Sequence, residues 1–269
     1  MLPVLMYHHV RPGGGFIAVT PHNFASQMEA MFKAGWQTVD TKGVSAFLAG
    51  EPLAPKSFAL SFDDGYLDNF RYAFPVLCKY NFHMLLFVVT SWLGIGEARD
   101  ILSLSTPSPS HRQCKEQIAN GYADDVMLRW SEIRKMRDSG LVSVHSHSHS
   151  HANRPAVSNP AMQQYLADDL TRSRKALQEQ LGEVSSHYCW PRGQFNDEDV
   201  ITASVAGFTY QYTTRRGLNR ARDVNKQKTP ALIERLAVRD KDGGWLLSRL
   251  RLFSLPLLGH LYCRRRGDV

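Results

Sequence analysis

The chain has few cysteines, and their spacing does not indicate that any two of them form a pair. Its 269 residues contain four, which are Cys78, Cys114, Cys189 and Cys263. No CxxC spacing occurs, so the sequence predicts neither a zinc knuckle nor a redox-active pair. Unpaired thiols are typical of a reducing compartment.

A secretory signal is also missing from the sequence. The first apolar strand starts at once, without a basic region, an apolar core and a cleavage site before it. We therefore expect a cytoplasmic protein. No recognised nucleic-acid motif accompanies the pI of about 9.3, so a nucleic-acid partner is not expected.

Internal repeats and low-complexity linkers are absent as well. With 43% hydrophobic residues, 269 residues suffice for one large α/β domain and leave little room for a second. Alternating strand and helix patterns indicate a mainly parallel sheet, open or closed. The strands are predicted near residues 3–7, 57–62, 83–90, 141–146, 187–190 and 207–212. The helices are predicted at residues 21–34, 67–80, 130–138, 158–181 and 197–205, the first with Thr20 as its N-cap.

Positive charge is concentrated towards the C-terminus. From Thr213 onwards there are 14 Lys or Arg residues against five Asp or Glu, whereas the whole chain has 32 against 25. Residues 245–258 mix large apolar residues with arginines and precede an arginine triplet at 264–266. Such a segment is too short and too charged to span a bilayer. It could lie on an anionic membrane surface, or it could be a final helix that packs on the core.

Two adjacent carboxylates end the second predicted strand. Residues 57–62 alternate so that Phe58, Leu60 and Phe62 share one face, and Asp63 and Asp64 follow directly. Neighbouring side chains splay to different sides there, so one carboxylate can bind a cation while the other stays available as a base. An Asp-Asp-Gly run can also be an ordinary turn.

Four histidines at alternate positions, from His145 to His151, offer further metal ligands. In an extended strand a four-residue separation spans roughly 13 Å, too far for two ligands of one ion. Either His147 and His151 chelate from a turn, or a pair such as His147 and His149 chelates from a strand. A His-rich tract that binds metals loosely is a further alternative.

Residues 94–128 do not follow the alternation of strands and helices. They include the sequence Ser-Thr-Pro-Ser-Pro-Ser, and we interpret them as a loop insertion over the active face. Such an insertion could shape substrate access, or it could be a disordered excursion.

The motif Ser61-Phe62-Asp63-Asp64-Gly65 and the histidine motif together resemble the polysaccharide deacetylase group, also known as the NodB-homology or carbohydrate esterase family 4 group. The histidine motif fits two registers, His145 with His149 or His147 with His151. The flanking residues resemble the family best in the second. The resemblance implies that Asp64, His147 and His151 hold a divalent metal, usually zinc, and that Asp63 is the general base.

Two further segments extend the resemblance. Met6-Tyr7-His8 is similar to the first strand of the poly-N-acetylglucosamine deacetylase branch, which implies that His8 is the general acid and leaves His9 a structural role. Residues 188–196 are similar to the family's aromatic-Pro-x-Gly motif. That similarity implies a substrate groove walled by Tyr66, Trp190, Pro191 and Arg192, although Arg192 stands where relatives commonly have an aromatic residue. Asn196 could also cap the next helix.

The implied fold is a distorted (β/α) barrel with fewer than eight regular strands. Residues 1–215 would form the deacetylase domain, and residues 216–269 a basic extension that completes or flanks it. The implied reaction is metal-dependent removal of N-acetyl groups from a glycan or a lipid-linked glycan intermediate. The alternatives are a metal amidase acting on a small non-sugar amide, and a catalytically silent metal- or glycan-binding protein.

Overall fold

Seven parallel strands close into a barrel. The computed structural model describes residues 1–15, 17–101, 108–154, 159–221 and 230–254. Around the barrel run β1 (Val4–Tyr7), β10 (Ala231–Ala237), β9 (Tyr210–Arg216), β8 (His187–Cys189), β7 (Val142–Ser146), β6 (Met84–Val88) and β5 (Ser57–Phe62). The ring closes where β1 pairs with β5, with Tyr7 opposite Phe62. The short β4 (Gln37–Thr38) adds to β5, and β2 (His9–Val10) pairs with β3 (Ala18–Val19).

The alternation along each strand divides its residues between the barrel interior and the surrounding helices. Phe58, Leu60 and Phe62 of β5 pack outwards in the main core. Ala59 packs with residues of the other strands in a second cluster inside the barrel. Because the period is two, Asp63 continues the inward-facing series, so the last inward positions of the strands meet at one mouth.

The helices surround this ring, and all five predicted helices are found. They are α1 (Pro21–Lys33), α3 (Phe74–Tyr80) with a preceding π-helix (Asn69–Ala73), α5 (Trp130–Asp138), α6 (Pro160–Leu181) and α7 (Asp197–Val205). The side chain of Thr20 caps α1 and that of Asn196 caps α7, as their sequence positions indicated. The predicted strands are likewise found, whereas β10 was not predicted.

A helix that the sequence did not reveal closes the other end of the barrel. In α2 (Thr41–Leu48), Val44, Phe47 and Leu48 pack into the interior cluster. Its two hydroxyl side chains contact buried imidazoles, Thr41 at 3.0 Å from His145 and Ser45 at 2.8 Å from His187. His145 lies on β7 and His187 at the start of β8, so this polar floor lies inside the barrel, below the mouth at which the strands end.

The described part of the insertion is helical and packed, which corrects the expectation of a loop. It contains α4 (His111–Ala119) and a 3-10 turn (Ala123–Asp125), and residues 102–107 lie outside the described ranges. Arg99 holds it in place through an ion pair with the buried Glu132, at 2.7 Å. Cys114 and Met127 pack against Tyr66 in a cluster of their own.

The basic C-terminal segment contributes to the barrel. Strand β10 fills the gap between β9 and β1, and α8 (Gly243–Ser254) buries Leu246, Leu250 and Phe253 in the main core. The alternative of a final packed helix therefore describes α8. Residues 255–269, including the arginine triplet, lie outside the described ranges. Within the described residues, no helix has the length and apolar run needed to cross a bilayer.

Candidate metal-dependent active site

Asp64, His147 and His151 converge at the mouth of the barrel. Asp64 Oδ1 lies 3.3 Å from His147 Nε2 and 3.4 Å from His151 Nε2. The two imidazole rings are 5.1 Å apart. The chain turns after β7, so the i, i+4 pair meets and the strand-borne pair of His147 and His149 does not form. His149 points instead to Thr90, with Nδ1 2.9 Å from its hydroxyl.

The protonation pattern of this trio fits a bound cation. His147 Nδ1 lies 2.8 Å from the carbonyl oxygen of Cys189, which can only accept, so Nδ1 carries the proton. In the neutral imidazole Nε2 is then an acceptor, and it faces a carboxylate oxygen. Asp64 Oδ1 is buried and has no hydrogen-bond partner among the described residues. Two facing acceptors need a positive charge between them, either a proton or a metal ion.

The electrostatics of the trio agree with this requirement. Burial by itself would raise the pKa of Asp64, but the two histidines outweigh it and hold that pKa well below its usual range. Burial would likewise lower the pKa of His147, yet Cys189 and Asp64 raise it well above the ordinary value. The site therefore favours positive charge beside Asp64.

Local hydrogen bonds hold the histidine turn, residues 147–151, in an unusual backbone conformation. Ser148 and His151 have positive φ angles of 71° and 53°, and Asp64 has one of 74°. The Asp169 carboxylate of α6 accepts from the amides of His149 and Ser150, at 2.9 and 3.0 Å. Left-handed non-glycine residues are strained and cluster at functional sites. Both ligand-bearing segments carry such residues here.

Asp63 lies beside the trio and is held by an arginine. Arg235 of β10 donates from Nη1 to Asp63 Oδ1 at 2.7 Å and from Nη2 to Oδ2 at 2.8 Å. Both side chains are buried. Burial alone would raise the pKa of Asp63, but Arg235 outweighs it and keeps that pKa below its usual value. Asp63 is therefore ionised at neutral pH, as a general base must be.

A second set of potential ligands, Asp63, His147 and Cys189, lies next to the first. Cys189 Sγ is 3.6 Å from Asp63 Oδ2 and 3.1 Å from Arg235 Nη2. The guanidinium group already contacts two of these three ligands and supplies their positive charge. The set of Asp64, His147 and His151 contains no such resident cation and is the better candidate for a metal.

His8 completes the mouth from the end of β1. Its Nε2 lies 3.7 Å from Asp63 Oδ2, and its side chain is 18% exposed. Burial lowers the pKa of His8, and the Asp63 and Asp64 carboxylates oppose that effect in part. His9 points elsewhere and is fully buried, with Nδ1 2.6 Å from Asp68.

The four residues expected to wall a substrate groove differ in their exposure to solvent. Trp190 is fully buried and donates from Nε1 to Gln211 at 3.0 Å, so it has no surface for a sugar and corrects that expectation. Pro191 and Tyr66 are buried as well, Tyr66 with its hydroxyl 3.3 Å from His111. Arg192 is exposed, with a positive φ of 57°. Of the four, Arg192 is the one that solvent reaches.

Sequence reasoning missed Arg235 and Cys189. A signal existed for Arg235, since residues 231–237 alternate and place an arginine in an apolar strand. The strand was not predicted because it lies in the basic C-terminal segment, whose charge indicated an exposed surface. Cys189 gave no such signal, because its contact with Asp63 joins residues 126 positions apart.

Comparisons with known proteins agree with this architecture. YxkH of Bacillus subtilis is 25% identical over 217 residues, which cover 80% of this chain and 65% of that protein. The poly-beta-1,6-N-acetyl-D-glucosamine N-deacetylase of Escherichia coli is 23% identical over 78% of this chain and 35% of its own length. The chain thus spans less than two thirds of either relative.

Solved structures share the fold. The structure of IcaB from Ammonifex degensii superposes with a TM-score of 0.71 at 25% identity, covering 92% of this chain and 95% of that one. The Streptococcus pyogenes deacetylase PplD, solved in complex with acetate, also gives 0.71, at 21% identity and with 92% and 96% coverage. The sequence profile of the family described as polysaccharide deacetylase matches residues 50–211, more than half of the chain. The chain therefore belongs to the polysaccharide deacetylase family.

Proposed function

We propose that this protein hydrolyses the N-acetyl group of amino sugars in a glycan, using a divalent metal ion. The observation that carries the proposal is the meeting of Asp64, His147 and His151 around one point, with the ionised Asp63 beside them and bound to Arg235. Three protein ligands leave coordination positions open, which is the pattern of a catalytic site. Zinc is the first candidate because it accepts imidazole and carboxylate ligands together.

Each residue of the proposed site has its own role in the hydrolysis. A divalent cation held by Asp64, His147 and His151 would polarise the acetyl carbonyl and lower the pKa of water. Asp63 takes a proton from the attacking water, and Arg235 keeps its carboxylate oriented. A backbone amide at Gly65 or Tyr66 donates to the developing oxyanion.

His8 then donates a proton to the departing amine nitrogen, so that the C–N bond breaks into acetate and a free amine. Because burial lowers the pKa of His8, its imidazole is neutral at rest and must acquire this proton during the reaction. The Asp63 carboxylate, 3.7 Å away, is the nearby group that can supply it. The proton taken from water thus reaches the amine through two neighbouring side chains.

The glycan class rests on the relatives. The Escherichia coli relative is named for poly-beta-1,6-N-acetyl-D-glucosamine, and we extend that substrate class to this chain. The exposed Arg192, in the turn that follows β8, would suit a substrate that carries negative charge. A lipid-linked glycan intermediate is one such substrate, and it would be accessible to an enzyme at the cytoplasmic membrane face.

The test is acetate release by the purified protein. N-acetylglucosamine oligomers should yield acetate, chelator should abolish the release, and added Zn²⁺ should restore it. A small non-sugar amide should be hydrolysed far more slowly. Preference for the small amide would favour the amidase alternative. Bound metal without acetate from either substrate would favour a silent binding protein.

Peripheral membrane contact is a separate part of the proposal. The apolar face of α8 is already used against the core, so contact with an anionic surface would depend on the residues after Ser254. Flotation with anionic liposomes should recover the full chain and lose a variant ending at Ser254. Equal flotation of the two proteins would remove this part of the proposal.

A further inference from the structure

A hydrogen-bonded chain of three side chains runs along the rim of the site. His9 is fully buried, and its Nδ1 lies 2.6 Å from Asp68 Oδ2. Its Nε2 lies 3.2 Å from Nδ1 of His111, the first residue of α4 in the insertion. The chain thus connects three separate parts of the sequence.

The proton positions in this chain are constrained. Asp68 accepts at Oδ1 from the amide of Val10 and from Asn69 Nδ2, so its carboxylate is an acceptor towards His9 as well. His9 Nδ1 therefore carries a proton. The His9 ring cannot turn over without breaking this short bond, so Nε2 is fixed towards His111.

This chain contacts both sides of the proposed site. Asn69 Nδ2 also donates to the carbonyl of His8, at 2.8 Å, which fixes the segment that carries the proposed general acid. On the other side the His9 ring stacks on Tyr66 with centroids 3.7 Å apart, and the Tyr66 hydroxyl lies 3.3 Å from His111. Tyr66 follows Asp64 by two residues.

The insertion reinforces the same segment through its backbone. Leu128 donates to the carbonyl of Gly65 at 3.0 Å, and Leu67 donates to that of Val126 at 2.9 Å. The segment after Asp64 is therefore held by insertion backbone on one side and by the His111 side chain at Tyr66. Burying polar side chains is costly unless they are hydrogen-bonded, and Asp68, His9 and His111 each have a partner in this chain.

We propose that His111 is a positioning residue of the active site, which acts with His9 and Asp68 to fix the rim between the His8 segment and the Asp64 segment. The inference rests on the proposed metal-dependent function. It gives α4 of the insertion a role in holding the active site, in addition to any effect on substrate access.

The test compares His111→Asn with His111→Leu, two side chains of similar size. Asn places an amide nitrogen near the position of Nδ1 and can keep the bond to His9, whereas Leu cannot. We expect the Leu variant to lose about 10-fold or more in kcat with little change in KM, and the Asn variant to recover most of it. Arg112→Ala, on the exposed neighbouring residue, is the control and should match the parent protein.

A second measurement uses cobalt(II) as the probe and does not depend on turnover. The visible absorption of the cobalt-loaded protein should shift in His111→Leu and return towards the parent spectrum in His111→Asn. Identical rates and spectra for the two variants would overturn the inference. A parent protein that binds no cobalt would instead overturn the proposed function and this inference together.

Discussion

Arg235 and Asp63 form a two-point ion pair across 172 residues of sequence, with both terminal nitrogens of the guanidinium group on the two carboxylate oxygens. The pair ties the last barrel strand to the end of β5. It also sets the charge and the orientation of the proposed general base. Lysine can keep the charge but not the fork geometry.

We therefore predict that Arg235→Lys lowers kcat by roughly 10- to 100-fold while metal remains bound. Because the charge of Arg235 holds the pKa of Asp63 down, Arg235→Gln, which removes that charge, should move the acidic limb of the kcat/KM profile to higher pH. Arg251→Lys, on the exposed side of α8, is the control. A rate and an acidic limb equal to those of the parent would contradict the role of Arg235.

Metal content should separate the two registers of the histidine motif. His147→Ala should lose metal, as measured by elemental analysis, because it removes one of the three converging donors. His149→Ala is a close control, since His149 lies two residues away and contacts Thr90. Metal loss in His149→Ala with retention in His147→Ala would reverse the assignment.

The general base and the metal ligand are adjacent and should behave differently. Asp63→Asn should retain metal and lose about 10²- to 10⁴-fold in kcat, because the amide cannot accept the proton. Asp64→Asn should instead lose metal. Undiminished turnover in Asp63→Asn would exclude Asp63 as the base.

These contrasts show where sequence reasoning succeeds. The period of two in residues 57–62 places the carboxylates at a strand end, and the caps at Thr20 and Asn196 locate two helices. Those signals are local, so they can be read without the fold. The partnership of Asp63 with Arg235 depends on barrel closure, which brings β10 beside β1.

The placement of Trp190 failed for a related reason. An aromatic-Pro-x-Gly motif indicates a turn near the site but does not say which side of the backbone faces the groove. Gln211, 21 residues further along, accepts the indole N–H and turns the ring into the core with Phe195 and Tyr188. We predict that Trp190→Phe lowers the free energy of unfolding by about 1–3 kcal/mol and leaves KM unchanged.

Arg192→Ala should have the opposite effect to Trp190→Phe, a change in KM without a change in stability. The side chain is exposed, so the free energy of unfolding should stay the same while KM for an anionic glycan rises. Denaturant unfolding and steady-state kinetics on the two variants measure both quantities. A raised KM in Trp190→Phe would restore that residue to the groove.

Acid should destabilise the floor of the barrel. Burial lowers the pKa of His187 to about 3 and that of His145 well below its ordinary value. Ser45 uses its proton on the Thr41 carbonyl, so it accepts from His187 Nε2, and Nδ1 is left to accept from Tyr212. The imidazole of His187 is therefore held neutral.

An unfolded chain binds protons at these histidines near pH 6.5, before the folded one does. The contribution of these neutral histidines to the free energy of unfolding should be fully present above that pH. It should fall as the pH drops towards 3, by up to about 1.4 kcal/mol per pH unit for each histidine. Chemical denaturation between pH 7 and 4 measures the slope. His187→Gln should reduce it, and an unchanged slope would contradict the assignment.

The order in which the barrel is built has a consequence for the timing of activity. Every proposed ligand and acid lies before residue 152, yet the partner of Asp63 arrives with β10. A nascent chain that has not yet added this strand keeps an open ring, and its Asp63 carboxylate has no guanidinium partner. Hydrolytic competence should therefore appear only when synthesis has passed Ala237, and prematurely terminated products should be inert.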